Sequence, residues 1–386
     1  MKIFNGTMAE YPANGSEYTS REIWNQPEVW QYTFQKILKD QMSISGFFDT
    51  AVNKSSRIIL TGAGTSAYIG LSIEGTFQKL TGRTTVSVPT THLVTHAADY
   101  LDSKQHTLLI SFARSGNSPE SIAALKIADK LCGSCSHLII TCDGEGDLAK
   151  YASKNEKYTF ILPSEANDKS LAMTSSYTSM LLTGLLLPRL DRINDYTGVI
   201  DTLAAYGRNI LSEYTTKIRK IAQQDFKRAV VLGSGPLYGT CTESNLKLQE
   251  LTDGQVICKK DSFLAFRHGP KAVIDEQTLI IFLFSNNPAV QRYELDFVHS
   301  LNKGKRAMCL IGVSEYPLEG VKFDLEICYG GKNNDKLEED MLSVCSVLPA
   351  QILGLFKSLE LGLKPDSPSE SGAIARVVEG VKIYDI

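Results

Sequence analysis

The sequence predicts an α/β protein made of two tandem copies of one parallel-sheet unit, each sheet flanked by helices on both faces. Three observations predict it. Short apolar runs of strand length alternate with stretches of helical spacing, and strands that are apolar throughout belong to parallel sheets covered on both sides. The stretch "Arg57-IIL-TGAGTSAYIG" returns 171 residues later as "Arg228-AVV-LGSGPLYG", so Gly62 and Gly64 map onto Gly233 and Gly235. At the same shift "Thr107-LLISFARSGNSPES" meets "Thr278-LIIFLFSNNPAVQR", and two matches at one offset point to a duplication.

Residues 1–40 read as a helical lead-in. The first copy spans 41–200, with strands expected at 58–60, 84–88, 108–111, 138–141 and 158–162. The second spans 201–365, with strands at 229–232, 255–259, 279–284, 306–311 and 325–328. Residues 197–226 read as a helical connector between the copies. Residues 341–363 read as one long apolar helix, and 366–386 as a turn-rich tail closing on the site. Ligands of open parallel sheets bind beyond the carboxyl ends of the strands, which puts both Gly turns and the Ser-rich turn on the ligand side.

The 386 residues are 43% apolar and 22% charged, enough to bury a sizeable core. A net charge of −3 without a long basic run does not suggest nucleic acid. No apolar run reaches about 18 residues, so no membrane span is expected; the stretch Ser170–Leu190 comes nearest but is broken by Ser and Thr. The first residues lack a signal-peptide core. Of the eight cysteines, Cys132 and Cys135 form a CxxC pair, but no second pair stands at zinc spacing. Ordinary reduced thiols and a cytoplasmic location are the expectation.

Four motifs carry chemistry. "Gly62-Ala-Gly64-Thr65-Ser66" is a strand-to-helix turn; Ala67 stands where a dinucleotide fingerprint has its third Gly, and no convincing acidic residue follows about twenty residues on, so a bare tight turn stays open as an alternative. "Arg114-Ser115-Gly-Asn-Ser118-Pro" opens a helix, where backbone N–H groups favour an anion and hydroxyls add neutral donors. With "Met173-Thr174-Ser175-Ser176" it makes a Ser/Thr-lined phosphate pocket, although Ser115 or Ser118 could equally cap the helix. Glu243, Lys247 and Glu250 share one helix face at i, i+4 and i+7, either as a solvated ion-pair face or as acid–base machinery. His268 sits in a Gly-Pro turn that suits presentation rather than burial, and a near-neutral side chain suits acid–base work.

In order and spacing, "GAGTS", "ARSGNSPES", "AMTSS", "ESNLKLQE" and "RHGPKAVID" resemble the sugar isomerase (SIS) family, and the whole is similar to the isomerase half of glucosamine-6-phosphate synthase, which is two SIS domains. The resemblance covers about residues 40–386. "SLAMTSSYTSMLL" and the tail "GAIARVVEGVKIY" resemble the galactosamine-6-phosphate deaminase/isomerase group, also described as tagatose-6-phosphate ketose/aldose isomerases. The resemblance implies that Gly64, Thr65, Ser66, Ser115, Ser118 and Thr174 hold the sugar phosphate. It further implies that Glu250 moves a proton between C1 and C2, with Lys247 beside it and Glu243 a further acid. His268 would be the ring-opening histidine, donated by the neighbouring subunit of a homodimer. Arg376 stands where the synthase has a Schiff-base lysine; an arginine cannot form that imine but can clamp phosphate. Arg114 could meet the phosphate or pair with Glu120.

The expected activity is isomerising deamination of an amino-sugar 6-phosphate, best matched by D-galactosamine 6-phosphate giving D-tagatose 6-phosphate and ammonia. One base serving two adjacent carbons needs no metal and no nucleotide cofactor. The alternatives are a ketose/aldose isomerase without deamination, a fructosyl-amine 6-phosphate deglycase, and a non-catalytic sugar-phosphate sensor. The partners expected are a phosphorylated amino sugar and a second copy of the chain, with neither nucleic acid nor membrane.

Overall fold

The computed structural model describes residues 2–4, 6–7, 13–301, 304–330, 336–377 and 380–384. The first sheet contains β1 (Arg57–Thr61), β2 (Thr84–Ser87), β3 (His106–Ala113), β4 (Ser134–Thr141) and β5 (Glu156–Ile161), in the spatial order β2-β1-β3-β4-β5. The second contains β6 (Arg228–Leu232), β7 (Ile257–Asp261), β8 (Thr278–Leu283), β9 (Cys309–Ser314) and β10 (Leu325–Cys328), in the order β7-β6-β8-β9-β10. All pairings within the two sheets are parallel. The repeat seen in the sequence is therefore a repeat of topology. All ten expected strands are present; β9 starts three residues later than the apolar run implied, because residues 305–308 lead in without pairing as a strand.

The helices that bear on the site are α1 (Glu17–Lys54), α2 (Thr65–Thr81), α3 (Pro119–Leu131), α4 (Ser175–Leu186), α5 (Pro236–Leu251), α6 (Pro288–Ser300) and α7 (Leu348–Glu360). The chain forms two compact units. One holds the first sheet and comprises Glu28–Asp168, Ser175–Ile200 and Ala375–Ile386. The other holds the second sheet and comprises Met1–Pro27, Lys169–Thr174 and Asp201–Ile374. The strand interiors are fully buried: Ile58, Ile59 and Leu60 in β1, Leu108 to Ile110 in β3, and Leu279 to Phe282 in β8 all have 0% exposure, as strands covered on both faces require.

The long apolar helix expected over 341–363 is broken. A short helix, Leu342–Cys345, stops and α7 begins at Leu348. Pro349 has no N–H to give the Cys345 carbonyl, so the ladder fails there even though the intervening backbone stays helical. Among the described residues one helical stretch, Glu339–Glu360 rather than the one around Met173, is long and apolar enough to cross a membrane by length and composition, and 94% of its most apolar window lies inside the protein. It is a core helix. All eight cysteines are free, Cys132 and Cys135 are buried, and no metal-holding cluster of His, Cys, Asp or Glu is found among the described residues. Of the N-terminal lead-in, residues 1, 5 and 8–12 lie outside the described residues, as do 378, 379, 385 and 386 of the tail.

The two Gly turns share one design. Gly64 precedes α2 with φ 55° and ψ −127°, and Gly235 precedes α5 with φ 54° and ψ −129°, a conformation closed to most L residues. Gly62 serves a different need, since a Cβ there would come within 2.6 Å of the Ser66 carbonyl carbon. The helix start is pressed against the strand end, which admits no side chain. Gly62→Ala should therefore push α2 away and cost about 1–3 kcal/mol by overpacking, read as a fall in the urea midpoint with the slope unchanged.

Candidate active site

In the first sheet β1 lies between β2 and β3, so the chain leaves β1 on one side and returns on the other. The two turns at the carboxyl ends of β1 and β3 diverge there, and such a switch point is where parallel sheets receive ligands. The register Thr61 to Ser111 sets the turns side by side. The first turn carries Gly64, Thr65 and Ser66. Both hydroxyl residues are only 4% exposed, in the first turn of α2, whose N-terminal N–H groups favour an anion. The second carries Ser115 to Ser118. Gly116 takes φ 68°, its carbonyl accepts from the Leu148 N–H at 3.0 Å, and the Asn117 side chain accepts from the Asp147 N–H at 3.0 Å. These bonds fix the turn from outside it.

The capping alternative can be judged directly. Ser118 occupies the cap position of α3, yet its hydroxyl makes no capping bond. The Ser115 hydroxyl accepts from the Asn117 N–H at 3.3 Å within the turn. In the second copy the corresponding turn is two residues shorter, so the cap position is Asn287, and its side chain does cap, accepting from the Ala289 N–H at 3.0 Å. A constant offset would have set Ala289 against Ser118; the helix starts set Asn287 there instead. One copy caps its helix with a side chain and the other leaves its hydroxyl over.

The second copy's turn also differs in charge. Glu294, 1% exposed on α6, accepts from the Ser285 N–H at 2.9 Å, and the Ser285 hydroxyl donates to Glu339. Glu315, equally buried, accepts from the Tyr206 hydroxyl at 3.0 Å, the Asn286 amide at 2.6 Å and the Leu337 N–H at 2.8 Å. Acidic side chains of the chain itself thus take up the hydrogen-bond donors at the end of the second sheet.

Glu243, Lys247 and Glu250 do meet, and not on a solvated face. The Lys247 ammonium lies 2.5 Å from Glu250 and 3.3 Å from Glu243. Glu243 and Lys247 are 0% and 1% exposed, while Glu250 keeps 22%. Helix α7 buries them, coming so close at Gly354 that a Cβ there would touch Leu251 at 2.8 Å. Burial works against the Lys247 charge, but the carboxylates of Glu243 and Glu250 outweigh it and raise the ammonium's pKa. The triad runs from the middle of α5 to its C-terminal end, with Glu250 next to the last residue and about 20 Å of helix away from the Gly235 turn. The Gly turn is thus at one end of α5 and Glu250 at the other.

The remaining predicted residues lie as follows. His268 is exposed on a loop anchored by Phe263 and Phe266, both fully buried. Thr174 is buried immediately before α4. The Arg376 guanidinium donates to the Asp168 carbonyl at 2.6 and 3.2 Å and to the Asn167 side chain at 3.3 Å. Arg114 is 6% exposed and donates to the Arg376 carbonyl at 2.5 Å, a partner that sequence reasoning did not propose for it. Asp168 was missed altogether. It stands seven residues before the helix start it holds, so no capping spacing reveals it.

The SIS domain profile matches residues 51–188, which contain the first sheet. The chain is 37% identical over 375 residues to the D-galactosamine-6-phosphate deaminase AgaS of Shewanella sp. (strain ANA-3), covering 96% of this chain and 92% of that protein. It is 37% identical over 371 residues to the D-galactosamine-6-phosphate deaminase AgaS of Escherichia coli, covering 95% of each. The crystal structure of tagatose-6-phosphate ketose/aldose isomerase from Escherichia coli matches with a TM-score of 0.87 at 34% identity, over 100% of this chain and 98% of that one.

Two stability predictions follow from the buried charges. Lys247→Met removes the cation 3.3 Å from the buried Glu243 and should cost about 3–5 kcal/mol at neutral pH, measured by chemical denaturation. Because the Lys247 pKa is raised, its contribution is complete below the ordinary value of 10.5 and should fade as the pH climbs past it. Glu294 shifts in the same direction, in a lower pH window. Burial first, opposed by the Ser285 N–H and helped by Glu339, pushes its carboxyl up to about 8 from 4.5. The folded state then holds a proton that the unfolded state releases, so this group lowers stability as the pH rises from 4.5 towards 8. Glu294→Gln should raise the thermal midpoint at pH 8 and change it much less at pH 5.

Proposed function

The chain belongs to the SIS-domain family together with the AgaS proteins, and from that premise we propose that it is an isomerising deaminase of an amino-sugar 6-phosphate, converting D-galactosamine 6-phosphate and water to D-tagatose 6-phosphate and ammonia. The observation that carries the reading is the buried Glu243–Lys247–Glu250 triad, in which one carboxylate alone keeps partial access to solvent. Such an arrangement suits a base that must touch substrate while its neighbours stay fixed. Thr65, Ser66, Ser115, Ser118 and Thr174, with the Gly64 turn, supply hydroxyl and backbone donors for the phosphate. Arg376 adds positive charge to that set.

The chemistry runs in four steps. His268 moves the proton that opens the pyranose ring to the C1 aldehyde. The aldehyde acidifies the C2 hydrogen, and Glu250 removes it as a proton. Glu250 returns that proton to C1 while a proton passes from the C2 amine to O1, leaving a C1 alcohol and a C2 imine. Water adds to the imine carbon, the C–N bond breaks, and ammonia leaves as the C2 ketone forms. Lys247 stabilises negative charge on the oxygen while C2 is deprotonated.

His268 acts across a homodimer interface, a reading supported by its exposed loop. Without deamination the same proton transfer is a ketose/aldose isomerisation, the activity named for the E. coli protein of similar structure. An assay of ammonia and ketose from a panel of hexosamine and hexose 6-phosphates separates the two. Ammonia from galactosamine 6-phosphate is the expected outcome; ketose formed only from amine-free aldoses would sink the deaminase reading.

Glu250→Gln should lower turnover by about 10²–10⁴-fold with KM little changed, the size of a general-base contribution. For the shared site, inactive Glu250→Gln and His268→Ala chains are unfolded together and refolded. The mixture should regain about a quarter of wild-type activity, since half the dimers then hold one intact site. No recovery would place His268 in its own subunit's site.

A further inference from the structure

Asp168 is fully buried on the loop between β5 and α4. One carboxylate oxygen accepts from the Ser175 N–H at 3.0 Å; the other accepts from the Ser176 N–H at 2.9 Å and the Ser176 hydroxyl at 2.5 Å. A carboxylate there satisfies N–H groups that have no partner within α4 and lies at the positive end of the helix dipole. The backbone carbonyl of the same residue takes the Arg376 guanidinium, and the Arg376 carbonyl takes the Arg114 guanidinium. Arg114 heads the turn that carries Ser115 and Ser118. Asp168, Arg114 and Arg376 all act electrostatically on the Cys142 thiol, which sits buried beside them. A single run of hydrogen bonds therefore joins the start of α4, the C-terminal segment and the hydroxyl turn after β3. Further along that segment, Ile383 and Tyr384 lie with Ile122 and Ile127 of α3 around a cleft of about 500 Å³.

We propose that Asp168 is a positioning residue for the phosphate-holding turns: it sets the start of α4 and, through Arg376 and Arg114, the turn of Ser115 and Ser118. The proposal rests on the reading that these hydroxyls hold the substrate phosphate. Asp168→Asn tests it with little change of volume. An amide nitrogen cannot accept from the Ser176 N–H, so one arm of the bidentate bond is lost while the other survives. The Asp168 carbonyl belongs to the backbone and is not removed, so release of Arg376 reports movement of the loop itself.

The full-length chain and its variants are assayed for KM, kcat, competitive inhibition by inorganic phosphate, thermal midpoint and trypsin cleavage after Arg376. In Asp168→Asn, KM and the phosphate inhibition constant should each rise about tenfold with kcat changed less than about threefold, and cleavage after Arg376 should accelerate. Arg114→Ala should weaken phosphate inhibition similarly, and Arg114→Lys, still a donor, should restore most of it. A lowered thermal midpoint with KM, phosphate inhibition and cleavage unchanged would overturn the proposal and leave Asp168 a merely structural cap. Absence of phosphate inhibition in the wild-type chain would instead overturn the underlying reading of the cradle. Normal inhibition in the wild type, unaltered in Asp168→Asn, would overturn the positioning role alone.

Discussion

Parallel strands buried on both faces cannot carry polar chemistry along their length, so every functional group must come from their ends or from the helices that cover them. In both sheets the middle of each central strand is completely buried. The strand order then decides which end matters. With β1 between β2 and β3, and β6 between β7 and β8, each sheet has one point where consecutive crossovers part. The Gly turns sit there in both copies with nearly identical backbone angles. What the copies do with that shared frame is where they diverge.

The divergence is electrostatic. The first copy's turns carry hydroxyls at helix N-termini, which favour an anion without imposing a fixed charge. The second copy's equivalent end holds Glu294, Glu315 and Glu339, bonded to Ser285, Asn286 and Tyr206. Burial raises the Glu294 pKa, and Glu339 adds to the effect. The second copy keeps its cation elsewhere, in the far half of α5. There Lys247 holds two carboxylates, and the three charges sustain one another in a setting that would neutralise any one of them alone. Only Glu250 reaches solvent, which gives it a freedom that Glu243 lacks.

The C-terminal segment is held through backbone carbonyls as much as through side chains. Arg114 and Arg376 each donate to a backbone carbonyl oxygen, a contact that does not depend on the identity of the residue that supplies the oxygen. This explains why Arg114 resisted interpretation from its neighbours in sequence, where Glu120 was the obvious ion partner. A guanidinium fork prefers several well-placed oxygens to a single point charge, and the fold offers it one from a residue 262 positions away.

Local pattern determined much of this protein. Apolar runs gave ten strands, a fixed offset gave the duplication, and the two Gly residues of each turn were visible as strand-to-helix punctuation. The i, i+4, i+7 spacing also set Glu243, Lys247 and Glu250 on one face. All of these depend on residues within a few positions of one another, so a linear reading suffices. Tertiary structure alone decided that this face is buried rather than solvated, because α7 approaches α5 at Gly354. It decided that the Ser118 hydroxyl does not cap α3 whereas Asn287 caps α6, since the second turn is shorter by two residues. It decided too that Asp168 caps α4 from seven residues away, and that the chain's final segment ties that residue to Arg114. These contacts join points far apart along the chain, and no periodicity records a hydrogen bond whose partners are brought together only by the packing of everything between them.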